Sequence, residues 1–134
     1  MFSKAVVVGA GYIAVEMAGI LKSLGSNVTQ IIRKDKVLRT FDGMIVDAVT
    51  EEVEHLGIEL VKNAREVAHV EKTENGSLTI CTKSGAVIDD VDCLLWAIGR
   101  TSSTAKLGLD KAGVDMDARG DILVDDFQNT SNPK

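Results

Sequence analysis

The chain has little of the chemistry that would make a metal or thiol enzyme of it. Two cysteines and two histidines occur in 134 residues. Cys81 and Cys93 sit in apolar, strand-like runs with no CxxC-type spacing. They read as reduced, buried thiols of a cytosolic protein, and a disulfide between them is the unsupported alternative. His55 and His69 have no metal-ligand spacing around them, so no metal site is expected, and His55 falls on a solvated helix face. Positive charge is also short: 15 Lys and Arg against 20 Asp and Glu leave a net charge of −5. That balance argues against nucleic acid and anionic membrane surfaces as partners, since both require a basic face. No stretch approaches the ~18 apolar residues of a membrane helix. A strand begins almost at once after Met1, which leaves no room for a signal peptide and points to the cytoplasm. Internal repeats and low-complexity tracts are absent.

What is present is ordinary for one globular domain over 1–134, with 45% hydrophobic and 26% charged residues. Lys4–Val8 is a β-branched run ending at a glycine, the pattern of a buried parallel strand. A helix follows over Tyr12–Leu24, with apolar residues at Ile13, Met17, Ile20, Leu21 and Leu24 and a stop at Gly25. Asn27–Ile32 is a second strand. Gly43–Leu56 has helical spacing at Ile45, Val49 and Val53 and is closed by Gly57. Ile58–Val61 is a third strand. This alternation is that of right-handed crossovers in a parallel sheet. Glu66–Lys72, Ser77–Lys83 and Ala86–Ile88 are then separated by Asn75-Gly76 and Ser84-Gly85, hairpin signals that predict an antiparallel meander. Cys93–Ile98 returns to a buried apolar strand, and one further strand is expected at Asp121–Val124. The expected fold is therefore α/β and Rossmann-like, in three layers, with helices on one face of a parallel sheet and the meander on the other. Gln128–Lys134 neither caps a helix nor completes a strand, which suggests a piece of a longer polypeptide.

Gly9-Ala10-Gly11-Tyr12-Ile13-Ala14 fits G-x-G-x-x-[G/A] between the first strand and the first helix. The first glycine permits a tight turn and the second lets a backbone approach a pyrophosphate. The third position needs only a small residue, and Ala14 qualifies. N–H groups at the helix start would then face the phosphates. The alternative is a turn that merely packs a helix on a sheet. Context favours the dinucleotide, since strand, turn, helix and next strand all fall where that fold requires.

An NAD site expects an acidic residue at the end of the second strand, to hold the ribose 2′-hydroxyl. Here the stretch reads Ile31-Ile32-Arg33-Lys34. A guanidinium can pair bidentately with a 2′-phosphate that a carboxylate would repel. Arg33 therefore points to NADP(H), and Arg39 reaches the same phosphate if Lys34–Leu38 forms a loop. A solvated surface charge is the competing reading of each arginine.

Three strings carry a specific likeness: GAGYIAVEMAGIL at Gly9–Leu21, IRKDKVLRTFD at Ile32–Asp42 and DCLLWAIGR at Asp92–Arg100, continued by VDDFQNT at Val124–Thr130. Together they resemble the NADPH domain of the glutathione reductases, within the pyridine nucleotide-disulfide oxidoreductases. The resemblance implies that Tyr12 covers the nicotinamide-side face of a flavin and swings aside for NADPH. It implies that Glu16 lies near the carboxamide, a residue whose position alone reads as a first-turn acid. Ala10 and Ile13 would line the pyrophosphate and ribose. Gly99 would let the cofactor lie close to the backbone, with Arg100 opening the loop beyond. Arg33 and Arg39 match the pair that grips the 2′-phosphate.

The same resemblance implies a parent enzyme that passes hydride from NADPH to FAD, and electrons to a redox disulfide that reduces glutathione disulfide. Its FAD domain, its redox cysteine pair and its dimer-interface domain with a His-Glu acid-base pair have no match here. The expectation is a monomeric NADPH-binding chain without turnover, whose partners are NADPH and the FAD domain of a homodimeric parent. Thioredoxin-glutathione or dihydrolipoamide-type reductases, and a free-standing NADPH sensor, are the alternatives.

Overall fold

The computed structural model describes residues 2–133 of the chain. The chain divides into two compact units, Met1–Ile98 and Gly99–Lys134.

The first unit runs β1 (Lys4–Val8), α1 (Tyr12–Ser23), β2 (Asn27–Ile31), α2 (Gly43–His55), β3 (Glu59–Val61), β4 (Val67–Lys72), β5 (Leu78–Thr82), β6 (Val87–Val91) and β7 (Cys93–Trp96). Four strands form a parallel sheet in the order β3-β2-β1-β7, and three form an antiparallel sheet in the order β4-β5-β6.

Alternation along β1 and β2 builds both cores. Val7 and Val28 pack with Ala14 and Ala18 of α1, Val53 of α2 and Ile58. Val6, Val8 and Ile31 pack instead with Ile80, Ile88 and Val91 of the second sheet. The helices and the meander thus cover opposite faces of the parallel sheet, as the sequence pattern predicts. Val6 and Val7 are both completely buried, and each such side chain contributes roughly 1.5–3 kcal/mol.

The helix faces differ from the expected stripes. In α1 the buried residues are Ala14 and Ala18, while Ile20 and Leu24 are each 52% exposed. A helix lying close on a sheet admits small side chains at the contact, so size rather than hydropathy selects the buried face. In α2 the buried residues are Val46, Thr50 and Val53, with Ile45 exposed. Asp42 caps α2 by accepting a hydrogen bond from the Met44 amide at 2.9 Å. Cys81 and Cys93 are not joined to each other, and each is half-buried rather than buried.

The second unit contains no buried residue among those described. The strand expected at Asp121–Val124 is reduced to one bridge, Met116 to Ile122. Carboxylate-centred turns organise the rest. Asp117 accepts from the amides of Arg119 and Asp121, and Asp125 from those of Phe127 and Asn129.

Candidate functional site

The first unit has its most constrained backbone where β1 meets α1. Gly9 has φ of +140°, and a Cβ there would lie 2.2 Å from the Ala97 carbonyl oxygen and 3.3 Å from the Ala14 methyl. Only glycine fits. Gly11 differs: its backbone is extended, with φ −83° and ψ 174°, and a Cβ would meet nothing within 4 Å. Packing of the protein on itself does not require glycine at that position, and the space beside it is open. Ala14 is completely buried, which accounts for the small residue at the third position of the motif. No side chain caps α1 at Gly11, and its first turn holds no acid. Glu16 therefore stands one turn further in than expected, exposed on the second turn of the helix. Tyr12 opens the helix and is 45% exposed, and Ile13 is half-buried.

Strand β2 holds this turn from beneath. The Gly9 N–H donates to the Ile31 carbonyl at 3.0 Å, and the Gln30 side-chain amide donates to the Gly9 carbonyl at 2.9 Å. The Leu38 N–H donates to the Ala10 carbonyl at 2.7 Å. A trans peptide points its C=O and N–H in opposite directions. With the Gly9 and Ala10 carbonyls drawn into the protein, the N–H groups of Ala10 and Gly11 are turned away from it. Among the described residues neither N–H has a hydrogen-bond acceptor.

Arg33 and Arg39 flank a loop, as the spacing anticipates. Ile32, Val37 and Leu38 are buried within it against Ala10, Val15, Val49 and Leu60. Leu38 takes a positive φ of 52°. The Val37 N–H reaches the Thr50 hydroxyl at 3.3 Å, and the Asn63 N–H the Lys34 carbonyl at 3.0 Å. The loop is thus anchored by its apolar residues while Arg33 and Arg39 stay exposed. Among the described residues neither arginine is in an ion pair. Lys36 is taken by Asp47, whose hydrogen bond and charge raise the ammonium pKa. The Lys83 ammonium holds the Glu66 carboxyl below its usual range by hydrogen bond and charge, and Arg33 adds a smaller pull. Gly99 opens the second unit with φ of +151°, and a Cβ there would meet nothing within 4 Å.

Sequence reasoning missed two contributors. Gln30 is fully buried in the strand NVTQI, but Asn27 and Thr29 of that strand are polar too, so nothing in the sequence singles it out. Leu38 contributes a backbone N–H and a positive φ, which no pattern of side chains marks. Among the described residues no cluster of His, Cys, Asp and Glu could hold a metal, and no helix is long and apolar enough to cross a membrane.

The family model for pyridine nucleotide-disulphide oxidoreductases matches residues 2–134. The chain is 43% identical over 127 residues to a glutathione reductase of Schizosaccharomyces pombe, covering 95% of this chain and 27% of that protein. A glutathione reductase of Debaryomyces hansenii is also 43% identical, over 128 residues, with 95% and 26% covered. Among solved structures, the HOCl-induced flavoprotein disulfide reductase RclA of Escherichia coli superposes with a TM-score of 0.80 at 30% identity, covering 98% of this chain and 29% of that one. An engineered water-forming NADPH oxidase bound to NADPH superposes with a TM-score of 0.76 at 31% identity, covering 98% and 28%. The chain spans about a quarter of the length of the curated relatives it matches.

Proposed function

The chain belongs to the pyridine nucleotide-disulphide oxidoreductases, and from that premise we propose that it is the NADPH-binding part of a glutathione-disulfide reductase. The observation that carries the reading is the pair of outward N–H groups on Ala10 and Gly11, beside open space at Gly11 and an uncapped helix N-terminus. Such a set of outward N–H groups suits a pyrophosphate. The residues fit the group on three counts. Gly9 and Ala14 bring α1 close to the sheet. Gly11 leaves room for the phosphates. Arg33 and Arg39 stand exposed, outside any ion pair among the described residues, to take a 2′-phosphate.

The arginine spacing has support from one neighbour. The NADPH-bound oxidase carries an aspartate-to-alanine change followed directly by alanine, and another residue six positions beyond it, each changed to arginine. Ile32, Arg33 and Arg39 stand at that same spacing. The oxidase also carries a glycine-to-alanine change as far before its first new arginine as Ala14 stands before Arg33.

When bound, NADPH supplies a hydride. This chain's own work is to bind and orient it: Ala10, Gly11, Ile13 and the α1 N-terminus at the pyrophosphate and ribose, Arg33 and Arg39 at the 2′-phosphate, Tyr12 and Glu16 toward the nicotinamide end. Half-exposed Tyr12 suits a gate over that end. The FAD site, the redox disulfide and the dimer contacts are assigned to the remainder of a parent of the relatives' length, so the chain alone binds without turnover.

Calorimetric titration with NADPH and with NADH tests the reading. NADPH is expected to bind at least about tenfold more tightly, and more weakly as salt rises. Equal affinity for the two would remove the 2′-phosphate assignment, and no binding of either would remove the site.

A further inference from the structure

We infer that Gln30 is a positioning residue for the nucleotide, setting the direction of the Ala10 N–H by holding the Gly9 carbonyl from inside the core. The inference rests on the nucleotide reading above.

Gln30 lies in β2, in register with Val7 of β1 and Leu60 of β3, and none of its surface is exposed. Its Nε2 donates to the Gly9 carbonyl at 2.9 Å. Its Oε1 is buried and has no hydrogen-bond partner among the described residues. As a core filler it is a poor choice, because an unpaired amide oxygen is destabilising where an apolar side chain of the same size would carry no penalty. The bond to Gly9 is what the amide adds. Gly9 is thereby tied to β2 on both sides, its N–H to the Ile31 carbonyl and its C=O to Gln30. The peptide between Gly9 and Ala10 is planar and trans, so its N–H must point opposite to the fixed carbonyl. That N–H has no acceptor among the described residues and faces the open side of the turn. Gln30 touches no ligand itself and acts only through this peptide.

The test uses Gln30→Met, which keeps the volume and removes the donor. Removing the unpaired Oε1 offsets the loss of a donor to Gly9, so the melting temperature is expected to hold or rise. NADP⁺ should bind about three- to tenfold more weakly, the equivalent of one lost hydrogen bond. Adenosine 2′-monophosphate, which carries the 2′-phosphate but no pyrophosphate, should bind as it does to the unaltered chain. Unchanged NADP⁺ affinity overturns the inference, as does an equal loss for both ligands together with a lower melting temperature. Gln30→Glu gives an independent reading. A protonated carboxyl can donate to the Gly9 carbonyl and an ionised one cannot, so its NADP⁺ affinity relative to the unaltered chain should recover as pH falls from about 8 to about 6. A flat ratio overturns the inference. Failure of the unaltered chain to bind NADP⁺ at all counts against the proposed function instead.

Discussion

The Leu38 N–H donates a 2.7 Å hydrogen bond to the Ala10 carbonyl, which ties the arginine-flanked loop to the glycine turn. The two halves of the proposed site are therefore set by one contact and by the apolar packing beneath it. Val37, completely buried next to Leu38, anchors that contact. Val37→Ala is expected to cost about 1–3 kcal/mol of stability in a denaturant titration. At temperatures where the variant is still folded, NADPH affinity should fall as well, although Val37 touches no ligand. Full affinity in the folded variant would show that the loop does not depend on this packing.

Arg33→Ala should weaken NADPH by about ten- to a hundredfold while leaving NADH nearly unchanged. The reason is the loss of a charge-assisted hydrogen bond to a group that only NADPH has. Calorimetry with both nucleotides checks this, and an equal loss for the two would place Arg33 away from the 2′-phosphate. Arg33→Lys should recover only part of the affinity, because an ammonium lacks the planar fork.

Gly9 and Gly11 should respond in opposite ways to the same added methyl. At Gly9 a Cβ would collide with the Ala97 carbonyl at 2.2 Å and φ is +140°, so Gly9→Ala is expected to lose more than about 2 kcal/mol of stability. At Gly11 a Cβ would meet nothing, and Gly11→Ala should keep stability within about 1 kcal/mol. Its NADPH affinity should nevertheless drop, because the methyl takes space assigned to the pyrophosphate. Thermal melts alongside calorimetry separate the two, and a Gly11→Ala chain with full affinity would leave that space without a ligand.

Much of the fold could be read in the sequence because β-branched runs, glycine stops and Asn-Gly turns act locally. Each of the four parallel strands and both helices lies where those signals put it, within a residue or two at the ends. What failed needed tertiary knowledge. The buried face of α1 is set by how close a helix may approach a sheet, so Ala14 and Ala18 are inside and Ile20 and Leu24 outside. Among the described residues, the strand expected around Ile122 has one bridging partner, Met116, and its unit has no buried residue to pack on. In the proposed site, Arg33, Arg39 and the glycines are candidates that residue type and spacing alone single out. Gln30 and Leu38 are not, since their contributions are contacts to the turn's carbonyls from strands and loops distant in sequence.

Acid should act on the turns of the second unit through two aspartates. Backbone N–H donors lower the Asp117 pKa below the ordinary 3.8, the Asp121 amide foremost. The Asn129 side chain, then its backbone N–H, lowers that of Asp125. A carboxylate depressed in the folded chain contributes stability that is present above its unfolded pKa, and that contribution is lost as pH falls through the folded value. The turns should therefore hold at neutral pH and open only below about pH 4. Amide resonances of Arg119, Asp121, Phe127 and Asn129 should move toward random-coil positions together between about pH 4 and pH 2. Asp125→Ala should shift those of Phe127 and Asn129 already at neutral pH, because their acceptor is gone. Amides that stay in place in that variant would show that the turn is held by something other than the carboxylate.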